Sequence, residues 1–348
     1  MDTSSLKITP KILNIISEID EFKGAFKGLQ RISFDRLKAL KRIATIESVG
    51  ASTRIEGAKL SDREVEIIFS QLNKESFRSR DEEEVAGYAF ACQEIFDNFK
   101  NIPFSENAIK QMHSWLLKYV KKDQYHLGKY KNTPNKIEAF SETGKSLGIL
   151  METASPFETP IQMEKLIIWT RKELKQKLLH PLLVIAIFNV VFLHIHPFQD
   201  GNGRLSRLLI SFLLLQQGYD YIPYSSLENI VEHSKESYYI SLRETQKTLK
   251  SKNINFEPWI DFFLTCLLKQ KKILEEKLIH EKLLHKNLPS LSLQVVKLVK
   301  EHGKLSLKDL EILTKANVNT LKKHLQNLVK KNYLSLNGKG RAAWYSLP

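Results

Sequence analysis

The sequence predicts a mainly α-helical protein on three observations. Glycine and proline are scarce, at 14 and 11 of 348 residues. Apolar residues recur mostly at helical spacing. Hydrophobic residues make up 42% and charged residues 26%, which is typical of globular domains and excludes the disordered and fibrous classes. A chain of this length has room for two or three domains.

We expect residues 1–100 to form a helical N-terminal region. Ser61 and Glu64 precede an apolar run in the order of a capping box, which predicts a helix over about 61–73. A further helical pattern covers about 82–100.

Residues 130–157 contain no helical apolar period. Turn formers at 141–144 separate two short extended segments, at about 135–140 and 147–152, and this pattern predicts a β-hairpin. Helical patterns then resume over about 160–178, 181–195, 204–217, 225–249 and 255–285.

The stretch 181–195 is the most apolar of the chain. It contains Asn189 and His194 and is shorter than the roughly 20 residues that cross a bilayer, so we predict a buried core helix.

The only cysteines are Cys92 and Cys266, which excludes a disulfide framework or a cysteine zinc site and indicates a reducing compartment. We therefore expect a cytoplasmic protein with no membrane partner.

The C-terminal segment 289–348 has a different pattern, preceded by a charged helical linker over 251–288. Three short helices followed by an alternating end with an Asn337–Gly338 turn are typical of a winged-helix domain. The helices are expected at about 290–301, 306–314 and 318–332.

Positive charge is concentrated in this segment. The whole chain has a net charge of +14, and residues 291–348 hold 11 Lys or Arg against 3 Asp or Glu. Nucleic acid, nucleotide phosphates and a membrane surface are all acidic partners that fit this charge. DNA is one candidate partner of residues 289–348, and a protein-binding winged helix with a basic face is the alternative. The residues expected to reach DNA are Asn319, Lys322 and Lys323 on the third helix and Lys339 and Arg341 on the wing.

The central motif is the segment 196–207, HPFQDGNGRLSR, between two apolar helical patterns. Pro197 is expected to end the first helix, and Gly201 and Gly203 permit a tight turn. The second helix is expected to begin near Arg204. Its unpaired N–H groups and its dipole then favour an anion in the loop.

The side chains of this motif suit phosphoryl or nucleotidyl transfer. Asp200 can hold Mg²⁺ together with substrate phosphates. Arg204 and Arg207 share a helix face and can neutralise phosphate charge, and His196 can accept a proton from an attacking hydroxyl. The alternative is a transition-metal site formed by His194, His196 and Asp200.

The motif resembles the signature of the Fic family, HPFx(D/E)GNGRxxR, with every fixed position present. The resemblance extends over about residues 40–250, and from Gly128 onward the hairpin resembles the family's target-binding flap. It implies a Fic-type helical catalytic core over 101–250. The implied activity is transfer of AMP from ATP, with Mg²⁺, to Ser, Thr or Tyr hydroxyls of proteins, including this protein itself. Family members that transfer phosphate or phosphocholine show that the fold does not fix the donor.

The resemblance also implies a role for each matching residue. His196 would be the general base, Asp200 the Mg²⁺ ligand and Arg207 the γ-phosphate ligand. Tyr238–Tyr239 resembles a pair of tyrosines in the family, although a buried position in a core helix is the alternative interpretation. The implied nucleotide-binding residues are Glu56, Gly201, Asn202, Gly203, Arg204, Leu205, Ser206, Arg207 and Tyr239.

An upstream segment matches the family's inhibitory pattern (S/T)xxxE(G/N) at Ser52, Glu56 and Gly57. In this hypothesis the Glu56 carboxylate pairs with Arg207, so that ATP binds unproductively. The same carboxylate could orient a water for removal of AMP. The alternative is a plain helix C-terminus, with Gly57 as the cap and Glu56 solvated. A competing function is a DNA-binding regulator whose Fic core senses nucleotide.

Overall fold

The computed structural model describes residues 3–29, 34–72, 77–140, 146–331, 333–338, 340 and 343–347. The chain divides into two compact units, Met1–Leu274 and Glu275–Pro348. The helices that begin in the first unit are α1 (Pro10–Leu29), α2 (Phe34–Ile55), α3 (Asp62–Phe69), α4 (Arg80–Asn98), α5 (Glu106–Leu116), α6 (Glu158–Gln176), α7 (Pro181–Ile195), α8 (Asn202–Gln216), α9 (Leu227–Glu232), α10 (Lys235–Gln246) and α11 (Glu257–Asn287). Short 3₁₀ helices lie at Lys121–His126 and Ile222–Tyr224.

Helix α3 begins as its capping signature predicts. The Ser61 hydroxyl accepts from the Glu64 N–H, and the Glu64 carboxylate accepts from the Ser61 N–H. The helix ends earlier than predicted, at Phe69, where the Ser70 N–H bonds back to the carbonyls of Glu66 and Ile68.

Helix α7 has the predicted bounds and forms the centre of the first unit. Nearly all of its side chains are buried, which is the expected result for a helix that is apolar on every face. Trp259 of α11 donates its indole N–H to the Ala186 carbonyl at 2.8 Å. Among the described residues, no helix is long and apolar enough to cross a membrane.

Two regions of the first unit differ in detail from the prediction. The single helical pattern over 225–249 is divided into α9 and α10, because the chain leaves helical geometry at Ser234. Strands β1 (Lys136–Phe140) and β2 (Ser146–Glu152) pair antiparallel, as the extended segments predicted. The predicted turn at 141–144 lies outside the described residues.

The second unit contains a small three-stranded antiparallel sheet with the order β3–β5–β4. Its buried core includes Leu310, Leu321 and Leu325. The strand β3 was not predicted, and Lys339 and Arg341 lie outside the described residues. The elements are α12 (Ser290–His302), β3 (Lys304–Ser306), α13 (Leu307–Thr314), α14 (Val318–Lys330), β4 (Ser335–Asn337) and β5 (Trp344–Ser346).

Candidate active site

The motif forms the loop between α7 and α8. His196 ends α7 in the left-handed conformation, with φ of 52°, and Gly201 precedes α8 with φ of 77°. The Asn202 side chain closes the loop, accepting from the Phe198 N–H at 2.9 Å and donating to the Phe198 carbonyl at 2.7 Å. Helix α8 therefore begins at Asn202, two residues before the predicted start.

His196 is held as a neutral imidazole. Its Nδ1 lies 3.3 Å from the Leu193 carbonyl, which assigns the ring proton to Nδ1 and leaves Nε2 as the acceptor. Burial lowers the pKa of His196 to about 4. The imidazole is thus in its basic form at neutral pH.

Glu56 and Arg207 are brought together although they are 151 positions apart. Arg207 is 4% exposed, and its Nη2 donates to Glu56 Oε1 at 2.8 Å. Ser52 holds the same guanidinium, accepting from Nε at its hydroxyl (2.8 Å) and from Nη2 at its carbonyl (2.9 Å). Burial alone would raise the pKa of Glu56, but the charge of Arg207 and its hydrogen bond lower it below the ordinary value.

Glu56 directly follows the end of α2, where Gly57 takes a φ of 108°. The helix-end interpretation of this segment therefore applies as well, except that Glu56 is paired rather than solvated. Its carboxylate also lies against the first turn of α8, since a Cβ built on Gly203 would overlap Glu56 Oε1 and lie 2.9 Å from its carboxyl carbon. Glu56 therefore occupies the N-terminal end of α8, where the sequence predicts an anion.

Asp200 is a second carboxylate at the N-terminal end of α8. Its Oδ1 accepts from the Gly201 N–H at 2.7 Å, and its Oδ2 accepts from Arg204 at 3.2 Å and from Arg80 at 3.0 Å. Burial would raise the pKa of Asp200, but Arg204 and the other donors lower it, so the carboxylate is ionised.

Arg80, Glu84 and Asp123 were not predicted from the sequence as residues of the site. Arg80 also contacts Glu84 at 2.8 Å and Asp123 at 3.2 Å, while Glu84 contacts Arg204 at 2.8 Å. The spacing of Arg80 and Glu84 indicates a helix-surface pair. It carries no information about Asp200, which lies 120 positions away.

His113 of α5 is a second residue that the sequence analysis missed. It stacks on Phe198 with a centroid distance of 3.9 Å. Its Nδ1 accepts from the Gly128 N–H at 3.0 Å, so its Nε2–H donates to the Asp200 carbonyl at 3.1 Å. Burial lowers the pKa of His113 to about 4. This neutral side chain supports the motif loop from behind.

The motif suggested two kinds of metal site, a transition-metal site and a Mg²⁺ site. Among the residues that the structure describes, no group of three His, Cys, Asp or Glu side chains is placed to hold a metal ion. This argues against the transition-metal interpretation of His194, His196 and Asp200. A Mg²⁺ held by Asp200 and by substrate phosphates needs no such group, because Mg²⁺ usually keeps several waters. The ionised oxygen ligand at Asp200 fits that ion.

The remaining predicted nucleotide ligands lie in different surroundings. Tyr239 of α10 is 38% exposed, whereas Tyr238 is buried beside Arg207. Burial raises the pKa of Tyr238 to about 12, with Arg207 acting in the opposite direction. Leu205 and Ser206 are completely buried, and the Ser206 hydroxyl donates to the Gly203 carbonyl at 2.8 Å. These two residues therefore face the core of the protein.

Residues 103–214, which include the whole motif and its loop, match the family model for the Fic/DOC family. The match places the motif residues, which form the α7–α8 loop and the first turns of α8, within the part of the chain that is similar to that family.

Curated relatives match the chain at modest identity. The protein adenylyltransferase Fic of Drosophila mojavensis is 23% identical over 256 residues, which cover 73% of this chain and 46% of that protein. The protein of the same name from Culex quinquefasciatus is 30% identical over 187 residues, covering 53% and 34%. The chain spans less than half the length of these relatives.

Solved structures share the fold. A Fic family protein from Desulfovibrio desulfuricans has a TM-score of 0.65 at 21% identity and covers 100% of this chain and 98% of its own. A Fic domain-containing signaling protein from Bacteroides thetaiotaomicron has a TM-score of 0.58 at 24% identity, covering 74% and 95%. The mainly helical fold of the chain is thus similar to that of solved Fic proteins.

Proposed function

We propose that this protein transfers AMP from ATP to hydroxyl groups of protein side chains, its own included. The observation that carries the proposal is the neutral His196, whose free Nε2 lies in the same loop as an anion-binding helix end. Two charged side chains, Asp200 and Arg207, border that helix end. The relatives named protein adenylyltransferase support the choice of AMP as the transferred group.

In the proposed reaction His196 Nε2 accepts the proton of a Ser, Thr or Tyr hydroxyl. The hydroxyl oxygen forms a bond to the α-phosphorus, the bond from that phosphorus to the bridging oxygen breaks, and diphosphate leaves. The N–H groups of the first turn of α8 and Arg207 would hold the phosphates, and Tyr239 would border the adenine. Mg²⁺ at Asp200 would supply charge neutralisation when bound.

The same geometry supports restraint by Glu56. Its carboxylate occupies both Arg207 and the first turn of α8, the two places proposed for phosphate. A phosphate group and this carboxylate cannot share the site, so we propose that ATP binds productively only after Glu56 leaves Arg207. A charge-assisted hydrogen bond of this kind contributes about 1.5–3 kcal/mol.

Removal of AMP is the second candidate activity of the same site. The position of Glu56 favours it, because an ionised carboxylate beside the α8 N-terminus could orient a water toward a bound AMP group. Incubating an adenylylated target with the wild-type protein and following release of AMP would detect this reaction. Glu56→Gln should abolish it.

The test of the leading proposal compares ATP labelled at the α-phosphate with ATP labelled at the γ-phosphate. We expect protein-bound label from the first and none from the second. His196→Ala should retain ATP binding and lose transfer by about 10²–10⁴-fold, because the imidazole acts on the incoming hydroxyl. Label from the γ-phosphate alone, or full activity in His196→Ala, would contradict the proposal.

For the second unit we propose a winged-helix domain that binds DNA through α14. On this helix Leu321, Leu325 and Leu328 face the core, while Lys322 and Lys323 are exposed on the opposite side. A basic outer face of this kind suits phosphate contacts.

Retention of a DNA duplex over a salt series tests the winged-helix proposal. Lys322→Glu with Lys323→Glu should weaken retention and reduce its salt dependence more than Lys308→Glu on α13 does. Equal effects of the two sets of changes would refute binding through α14 and favour a protein partner.

A further inference from the structure

Lys131 is a buried lysine between α5 and β1. It is 4% exposed, and its ammonium donates to three oxygens: Asn135 Oδ1 at 2.8 Å, Thr153 Oγ1 at 2.9 Å and the Ile195 carbonyl at 3.1 Å. All three partners are uncharged. A buried ammonium is costly unless each of its donors is satisfied, so an arrangement of three short bonds fixes the side chain closely.

The three partners belong to two different parts of the molecule. Asn135 precedes β1 and Thr153 follows β2, so they are the two ends at which the strand pair joins the core. Ile195 is the last residue of α7 and the neighbour of His196. A cation at this carbonyl is also favoured by the C-terminal end of the helix dipole.

Further bonds join the same two parts. The Lys131 N–H donates to the Pro197 carbonyl at 2.9 Å. Asn135 Nδ2 donates to the Phe198 carbonyl at 2.8 Å. Within the base of the strand pair, the Thr153 hydroxyl donates to Asn135 Oδ1 at 2.6 Å. The base of the strand pair and the backbone of residues 195–198 are therefore connected by Lys131 and by Asn135, and the Lys131 ammonium contacts both ends of the strand pair.

We propose that Lys131 is a positioning residue of the AMP-transfer site, which fixes the base of the β1–β2 pair to the backbone that carries His196. The proposal rests on the proposed function, in which His196 is the base, and on the resemblance of the hairpin to the family's target-binding flap. In this arrangement the approach of the target and the orientation of the base are set by the same side chain.

Electrostatics supports a second effect of the same lysine. Burial is the main cause of the low pKa of His196, and the positive charge of Lys131 lowers it further. The carboxylates that face His196, Glu56 and Asp200, act in the opposite direction. Burial also lowers the pKa of Lys131 itself to about 8, so it keeps its charge at neutral pH.

The test compares Lys131→Met, which keeps most of the length of the side chain but removes the ammonium group, with Lys131→Arg. Lys122→Met is the control, because Lys122 is an exposed lysine that lies before the strand pair and outside the proposed site. All variants carry Glu56→Gly, so that the basal rate is measurable. We expect Lys131→Met to lower kcat about ten- to a hundredfold with KM for ATP changed less than about twofold. Lys131→Arg should recover much of kcat, and Lys122→Met should have no effect.

The pKa of His196, followed by NMR of its imidazole, is the readout that a merely structural role would not move. It should rise in Lys131→Met and stay unchanged in Lys131→Arg. Thr153→Val removes one acceptor and leaves the charge, so it should lower kcat without moving this pKa. If Lys131→Met does not fold, Thr153→Val still tests whether the hydrogen bonds around Lys131 affect kcat.

An unchanged kcat in Lys131→Met, or an equal loss in Lys122→Met, would overturn the proposal. So would a loss confined to KM for ATP, or an unchanged kcat in Thr153→Val. If no variant transfers AMP while the pKa of His196 still rises in Lys131→Met, the proposed function fails and the electrostatic effect of Lys131 on His196 stands.

Discussion

Two carboxylates, Glu56 and Asp200, border the N-terminal end of α8, and they differ in where they come from and what they contact. Glu56 follows α2 and pairs with the buried Arg207. Asp200 belongs to the motif loop and is shared by Arg204 and by Arg80, whose side chain is 50% exposed. Both have a pKa below the ordinary value, so both are charged at neutral pH.

The difference shows that equal charges at one helix end can have opposite consequences. Removing Glu56 leaves Arg207 bonded to the hydroxyl and the carbonyl of Ser52, so the guanidinium stays in position and gains room for a phosphate. Removing Asp200 takes away a partner of two arginines and the acceptor for the Gly201 N–H. We therefore expect activity to rise in the first case and to fall in the second.

Among changes to the two carboxylates, the largest effect is expected for Asp200→Ala. Loss of the proposed Mg²⁺ ligand should lower the transfer rate by roughly 10²–10³-fold, because a metal contributes several kcal/mol at such a site and each decade corresponds to about 1.36 kcal/mol. Initial rates over a Mg²⁺ series measure the change. Asp97→Ala on α4, an exposed residue paired with Lys41, is the control. An Asp200→Ala enzyme as active as this control would remove the distinction between the two carboxylates.

Glu56→Gly is the next largest change and acts in the opposite direction. Breaking a contact of about 1.5–3 kcal/mol should raise the rate by on the order of ten- to a hundredfold. Glu56→Gln keeps the shape and loses the charge, so its rate should fall between those of Glu56→Gly and the wild type. Steady-state rates with ATP and Mg²⁺ measure the series, and a rate in Glu56→Gly no higher than that of the wild type contradicts the restraint.

The pH dependence of the rate should distinguish the role of His196 as the base from the restraint by Glu56. Since the pKa of His196 is about 4, the imidazole stays basic from neutral pH down to about pH 5, and kcat/KM should decline only below that. The pKa of Glu56 lies below its ordinary value of 4.5, so its carboxylate stays charged at every pH above 4.5. The contact with Arg207 therefore weakens only when the pH falls through that lowered pKa. The rate ratio of Glu56→Gly to wild type should therefore be constant between about pH 5.5 and 8. A ratio that approaches one near pH 6 would contradict this assignment.

The smallest effect concerns Gly203 and stability. Alanine in a helix is favoured over glycine by about 0.5–1 kcal/mol, but in the wild type its Cβ would overlap the Glu56 carboxylate. Gly203→Ala should therefore raise the Tm by roughly 1–3 °C in a Glu56→Gly background and fail to do so in the wild type. Thermal unfolding of the four proteins measures the difference, and equal shifts in both backgrounds would place Glu56 elsewhere.

Local features of the sequence were sufficient to predict much of the fold. The bounds of α7 followed from one apolar run between Pro181 and Pro197, and the start of α3 followed from the Ser61–Glu64 capping box. The division between α9 and α10 was not predicted, because His233 and Ser234 are ordinary residues in a helical pattern. Short-range signals of this kind determine where helices begin and end, and tertiary contacts determine the rest.

The residues of the candidate site also divide into those that a local pattern predicted and those that only tertiary contacts bring in. His196, Asp200, Arg204 and Arg207 lie within one motif, so the sequence predicted them together. Arg80, His113 and Lys131 come from other elements and contact the loop through single side chains. No periodicity or spacing connects such residues to the motif, since the contacts exist only once α4, α5 and the strand pair have packed around it.

The central claim is that AMP transfer by His196 is restrained by the contact between Glu56 and Arg207. Intact-mass spectrometry after incubation with ATP and Mg²⁺ tests it most directly, because an added adenylyl group and an added phosphoryl group differ in mass. The wild type should gain little, Glu56→Gly should gain adenylyl groups, and Glu56→Gly combined with Arg207→Ala should lose that gain, since both changes act on one contact. Adenylylation that is equal in the wild type and Glu56→Gly, or that persists undiminished without Arg207, would contradict the account.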